Sequence, residues 1–138
     1  MAIYSSSDQL QEIMVELWKA IRDDQSMAGK IIPSRLTVRF TYREPDGIIS
    51  IDCSDGKTMK IESGPSPVKP IVEMAMKAEV AHEFWLGNVS IPIAIMTGKI
   101  VSKGPVNKAL SLLPVIKPAF EIYPAIYETR VASKVTPV

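Results

Sequence analysis

Hydrophobic positions near the start of the chain recur with helical spacing. Leu10, Ile13, Met14, Leu17, Trp18 and Ile21 fall at i, i+3, i+4, i+7, i+8 and i+11. A period near 3.6 puts them on one stripe and predicts an amphipathic helix. Ser7 or Asp8 is placed to cap its first turn by accepting a backbone N–H. Asp8, Glu12, Glu16 and Asp23-Asp24 form the opposite, solvated face. Arg22 to Ser26 ends the pattern, and Gly29 and Pro33 predict a loop after it.

The period then changes to two. Leu36, Val38, Phe40 and Tyr42 alternate with Thr37, Arg39, Thr41 and Arg43, as in a strand with one buried and one wet face. Pro45-Asp46-Gly47 predicts a turn, and Ile49, Ile51 and Cys53 share a face opposite Ser50 and Asp52. Asp55-Gly56 signals a hairpin, because glycine adopts the positive φ that the turn needs. Met59 and Ile61 then alternate with Thr58, Lys60 and Glu62, completing a three-strand meander. The turn formers Ser63 to Pro67 connect it to a fourth strand, with Val72, Met74, Met76 and Ala78 on one face.

A short helix is expected over Glu79 to Leu86, ended by Gly87. Ser90 caps a second short apolar helix, Ile91 to Met96, stopped by Gly98. Lys99 to Lys103 reads as a fifth strand bounded by Gly104, and Pro105 suits the first turn of a further helix. The apolar stretch from Leu110 to Tyr127 is interrupted by Pro114, Pro118 and Pro124. Proline removes a helix hydrogen bond and clashes with the preceding turn, which predicts two or three bent pieces here, not one rod. From Ala132 onward a frayed tail is expected.

Composition narrows the function classes. The 138 residues suit one domain, expected to span 1–138, and 46% are hydrophobic. Sixteen Lys+Arg against 15 Asp+Glu leave a net charge of +1, so no overall field favours nucleic acid. A single cysteine, Cys53, forms no internal disulfide and fits a reducing compartment. Met1 to Asp8 lacks a basic patch followed by an apolar run, and no apolar run is long enough to span a bilayer. A cytoplasmic protein is the resulting expectation.

Catalytic chemistry finds little support. His82 is the one histidine, no G-x-S-x-G elbow exists, and Cys53 reads as an inward-facing strand residue. One His, one Cys and scattered carboxylates lack metal-ligand spacing. Gly64, Gly98 and Gly104 form no phosphate cradle. Neither metal nor cofactor is expected, and the chain is read as a non-enzyme. Lys99 and Lys103 read as exposed solubility or as an anchor for a lipid headgroup or phosphate.

The order of elements, together with one stretch, carries a family resemblance. Met96-Thr97-Gly98-Lys99, then Lys103-Gly104, then Ala109, Leu110, Leu112 and Leu113 follow one another within Ser90 to Leu113. With the Asp55-Gly56 hairpin and the unit ending Phe84-Trp85-Leu86-Gly87, this resembles the sterol carrier protein family of non-specific lipid-transfer proteins. Pro105 departs from the small polar or acidic residue usual there, and the serine-lysine-leucine address of eukaryotic peroxisomal carriers is absent. The resemblance implies an α+β fold. It would be a five-stranded, twisted, mainly antiparallel sheet with helices on one face, enclosing an apolar tunnel for fatty acids, acyl-CoAs or sterols. Such domains occur alone and attached to enzymes.

The expected partner is therefore a hydrophobic small molecule, with a transient membrane or enzyme partner left open and no nucleic acid. Packing alone accounts for Leu10, Leu17, Val38 and Phe40. The expected ligand-binding residues are Met74, Met76, Phe84, Trp85, Ile91, Ile95, Met96, Leu113, Ile116 and Phe120. Methionine adapts to irregular apolar shapes, and proline-broken helices pack less regularly than long ones. Two other readings stand beside the carrier. One is an interaction module docking on an enzyme or on itself through its apolar C-terminal helices. The other is a small hydrolase or transferase using His82.

Overall fold

The computed structural model describes residues 3–135, with side chains through residue 131. Helix α1 (Ser7–Asp23) carries the predicted stripe, and Leu10, Ile13, Met14, Leu17 and Ile21 are all fully buried. Its cap is Ser6, one residue before the expected pair: Ser6 Oγ accepts from Gln9 N at 3.0 Å, and Gln9 Oε1 accepts from Ser5 N at 2.7 Å. The expected loop after α1 contains a second helix, α2 (Gln25–Ile31), and a 3-10 turn over Ile32–Ser34. Asp24 caps α2 by accepting from Ser26 N at 2.9 Å, and Met27, Ala28 and Ile31 are buried.

Strands β1 (Thr37–Arg43), β2 (Gly47–Asp52) and β3 (Lys60–Ser63) form the antiparallel meander. The third strand starts later than the alternation suggested. Asp55 instead organises a longer loop, its carboxylate accepting from the N–H groups of Lys57 and Thr58 and from the Thr58 hydroxyl. Strand β4 (Val72–Lys77) pairs with β1 in parallel, Val38 opposite Val72, and β5 (Ile100–Lys103) is antiparallel to β4. The sheet is thus mixed, in the order β3-β2-β1-β4-β5.

Parallel pairing obliges the chain to cross from the β3 edge to the far side of β1. Residues 64–71 make this crossing over the outer face of the sheet. Arg39, on the wet face of β1, pins it by donating to the carbonyl oxygens of Ser66 (3.2 Å) and Val68. Ile71 N then donates to Thr37 O at 2.9 Å, leading into β4.

The helices occupy the other face. Short helices α3 (Ala78–Trp85), α4 (Ile91–Met96) and α5 (Val106–Leu110) are followed by the long α6 (Ala119–Val135). Ser90 caps α4 as expected, while Pro105 sits at the N-cap of α5, one step before the first turn. The expectation of broken helical pieces holds for residues 106–118 and fails afterwards. Pro124 lies inside the 17-residue α6, in its second turn. The lost hydrogen bond is offset there by Tyr123 and Ile126, which are buried in the core around α1. Helix α6 continues through Val135, and the rest of the expected frayed tail lies outside the described residues.

Candidate functional site

An apolar cavity of about 90 Å³ lies between the sheet and the helices. Its floor is the inner face of the sheet: Val38, Phe40 and Tyr42 from β1, Ile51 from β2, Met74 and Met76 from β4. These residues share a face because strand side chains alternate and the registers put Phe40 beside Met74 and Tyr42 beside Met76. Trp18 of α1 and Ala81, Phe84 and Trp85 of α3 form one wall. Its rings interlock: Trp18 stacks on Phe40 at 5.8 Å and meets Trp85 edge-on at 5.9 Å. The roof is Ile91 of α4, Ala109 and Leu110 of α5, and Leu112, Leu113 and Ile116 in the turns beyond.

The ten residues expected to bind ligand divide by position. Met74, Met76, Phe84, Trp85, Ile91, Leu113 and Ile116 line the cavity. Phe120 stands behind it, edge-on to Phe84 at 5.4 Å. Ile95 is half-buried and off the lining. Met96 points away from the cavity and is 85% exposed. A six-residue helix has room for one inward edge, here Ile91 and Ala94, and Met96 falls on the other side. Conversely, Val38 and Phe40, for which the sequence suggests packing alone, and Trp18 of the first helix border the cavity. Their alternation marks them as inward-facing, and the same alternation serves a core or a cavity wall.

Among the described residues no charged side chain lines the cavity. Cys53, buried at its edge, has its thiol pushed up to about 11 by burial, with Asp52 and Asp55 adding to the effect. It is therefore a neutral thiol near pH 7, unlike an activated nucleophile. The buried indole N–H of Trp18 has no hydrogen-bond partner among the described residues.

His82 is engaged elsewhere. Its Nδ1 lies 2.7 Å from Tyr123 Oη, which lies 2.5 Å from Tyr4 Oη. Tyr127 packs on the imidazole at 4.5 Å, and its hydroxyl donates to Ile3 O. Burial lowers the His82 pKa and raises those of Tyr4 and Tyr123. All three groups are thus neutral, a state in which Tyr4 can donate to Tyr123 and Tyr123 to His82. This network joins the N-terminal segment, α3 and α6.

No family model and no curated protein matches this chain. Solved structures do. Sterol carrier protein 2 from Yarrowia lipolytica in its apo form superposes with a TM-score of 0.63 at 16% identity, covering 86% of this chain and 98% of that one. Sterol carrier protein domain 2 of Helicoverpa armigera gives 0.64 at 21% identity, over 82% and 89%. A palmitated sterol carrier protein 2-like protein from Aedes aegypti gives 0.53 at 17%, over 73% and 91%. Other matches fall within an alkylsulfatase. Among the described residues no helix is long and apolar enough to cross a membrane. With its five-stranded mixed sheet, its helices on one face and these matches over most of its length, the chain has the sterol carrier protein 2 fold.

Proposed function

We propose that this protein, as a single domain, binds a hydrophobic small molecule of lipid type in the cavity and carries it without chemical change. A fatty acid, an acyl-CoA or a sterol-like molecule fits this reading. The observation that carries it is the cavity itself, apolar, uncharged and roofed by the shortest helices of the fold. The neighbours named for sterol carriage, one of them palmitated, support it. The closed volume is smaller than the about 150 Å³ of an engineered cavity that admits benzene. A lipid tail therefore enters by displacing the roof, whose residues Ala109, Leu110, Leu112 and Leu113 are only half-buried. A ligand oxygen near Trp18 would give its N–H an acceptor.

The neutral Cys53 thiol and the engagement of His82 with tyrosines favour carriage over catalysis. A docking module working through the C-terminal helices is disfavoured, because Ile116, Tyr123 and Ile126 are already buried. The free thiol fits the cytoplasm.

Native mass spectrometry of the fresh protein, followed by organic extraction, tests the reading. A discrete lipid-mass adduct is expected, lost in Ala109→Trp, which fills the roof, and kept in Met96→Trp, which lies outside it. A bare protein that also ignores fluorescent fatty acids and sterols overturns it.

A further inference from the structure

Gln9, Thr37, Ser50 and His82 are buried, and each is hydrogen-bonded: Gln9 to Ser5 N, Thr37 to Asp52, Ser50 to Arg39 and His82 to Tyr123. The indole N–H of Trp18 is the exception among the described residues, buried and without an acceptor. Trp18 is 7% exposed and borders the cavity. Two rings flank it, Phe40 stacked on its face and Trp85 at right angles to it. An N–H turned to a ring gains only a weak bond, and a buried donor left unanswered costs more than a made hydrogen bond returns. The cavity is the space beside Trp18 into which a ligand can bring an acceptor.

We infer that the cavity takes a neutral lipid with a carbonyl oxygen in its apolar part, a ketone, ester or quinone, and that the Trp18 N–H selects for this oxygen. The inference rests on the carrier reading and narrows it. An indole N–H only donates and a carbonyl oxygen only accepts, so their pairing leaves no donor unanswered. A buried carboxylate is a poor occupant. Among the described residues no Lys or Arg lines the cavity, and desolvating an unpaired charge is costly. A fatty acid would therefore keep its carboxylate outside the roof. A hydroxyl brings a donor of its own, and among the described lining residues the one side-chain oxygen is that of Tyr42. A plain hydrocarbon fills the volume and leaves the indole unanswered. Trp18 sits on α1 beside the fully buried Leu17, and two rings hold its own ring, so the donor keeps its place while the roof moves.

The test titrates the full chain, labelled with nitrogen-15, with three ligands built on one carbon skeleton: heptanophenone, heptylbenzene and 7-phenylheptanoate. The ketone is expected to move the Trp18 indole N–H resonance downfield of its position in the heptylbenzene complex. Trp18→Phe is expected to weaken the ketone about tenfold and to spare heptylbenzene, while Trp85→Phe leaves the ratio of the two affinities as it was. The carboxylate is expected to bind more weakly than the ketone. The chain has two tryptophans, so Trp85→Phe assigns the resonance if Trp18→Phe does not fold, and the indole shift then decides. The same indole position with ketone and hydrocarbon, equal weakening of both by Trp18→Phe, or tightest binding by the carboxylate overturns the inference and leaves the carrier reading standing. Refusal of all three ligands also overturns the inference. If native mass spectrometry then shows no lipid adduct either, carriage falls with it.

Discussion

The helical layer over the sheet has two unlike halves. On one side α1 and α6, each of 17 residues, pack with Leu10, Ile13, Leu17 and Tyr123 fully buried. Arg130 ties the pair by donating to Glu16 at 2.7 Å and 2.9 Å, so two members of the expected solvated face, Glu12 and Glu16, have an ionic partner. On the other side α4 and α5 have six and five residues. They bury Ile91 and Ala94 but leave α5 without a single fully enclosed side chain. Long amphipathic helices bring several turns of one stripe to bear together, whereas a helix of one or two turns contributes an edge. The comparison teaches that one sheet supports a fixed frame and a loosely held cover, with the cavity under the cover.

Four measurements would break or sharpen this contrast. Leu17→Ala should lower the unfolding free energy by about 2–5 kcal/mol, because a fully buried leucine leaves a void. Leu113→Ala in the roof should cost only about 1 kcal/mol, since it is half-exposed and borders an existing void. Equal losses in denaturant titrations would erase the distinction.

Next comes the seam where the roof begins. Gly104 has φ +89°, and an added Cβ would lie 2.1 Å from Ile71 O. Gly104→Ala should therefore cost roughly 3 kcal/mol in the same assay, and a neutral result would mean that the β5–α5 junction yields freely. Tyr123→Phe should cost about 1–3 kcal/mol, because it strands the buried Tyr4 hydroxyl and His82 Nδ1. A smaller loss would show that the frame relies on its apolar contacts alone.

The smallest effect is on pH dependence. Burial holds the His82 pKa below its ordinary 6.5 in the folded state. As pH falls through 6.5 the unfolded chain takes up a proton that the folded chain resists, so the stability present above this pH is lost below it. Melting temperatures measured from about pH 7.5 to about pH 5.5 should fall, and His82→Gln should flatten the curve. An identical slope in the variant would remove His82 from the frame.

Of the frame, α1 and the strands β1 and β4 under it were legible in the sequence, because they repeat their pattern long enough to fix a face, whereas α6 was not, because Pro124 reads as a break inside it. Met59, which the alternation puts in the third strand, is buried but sits in the loop just before β3. Helix α2 was hidden by Gly29, which reads as a breaker but meets nothing within 4 Å and sits inside a short, well-capped helix. The cover was harder. Ile91, Ile93, Ile95 and Met96 are apolar all round α4, so no polar side marks which edge turns inward. The cavity floor was legible as buried but not as a floor, since a void is defined by what fails to reach it from across the layer.

The crossing that Arg39 pins also sets an order of events. The β1–β2 pairing closes a short loop, but Val38 must wait for Val72, 34 positions later, before the centre of the sheet is complete. Closing the longer loop costs more chain entropy, and non-local pairings slow folding. Strand β5 can be added only after β4 is in place, and α4 rests on β5. The cover is therefore expected to assemble last and to open first, so hydrogen exchange should be fastest in α4 and α5 and slowest in α1.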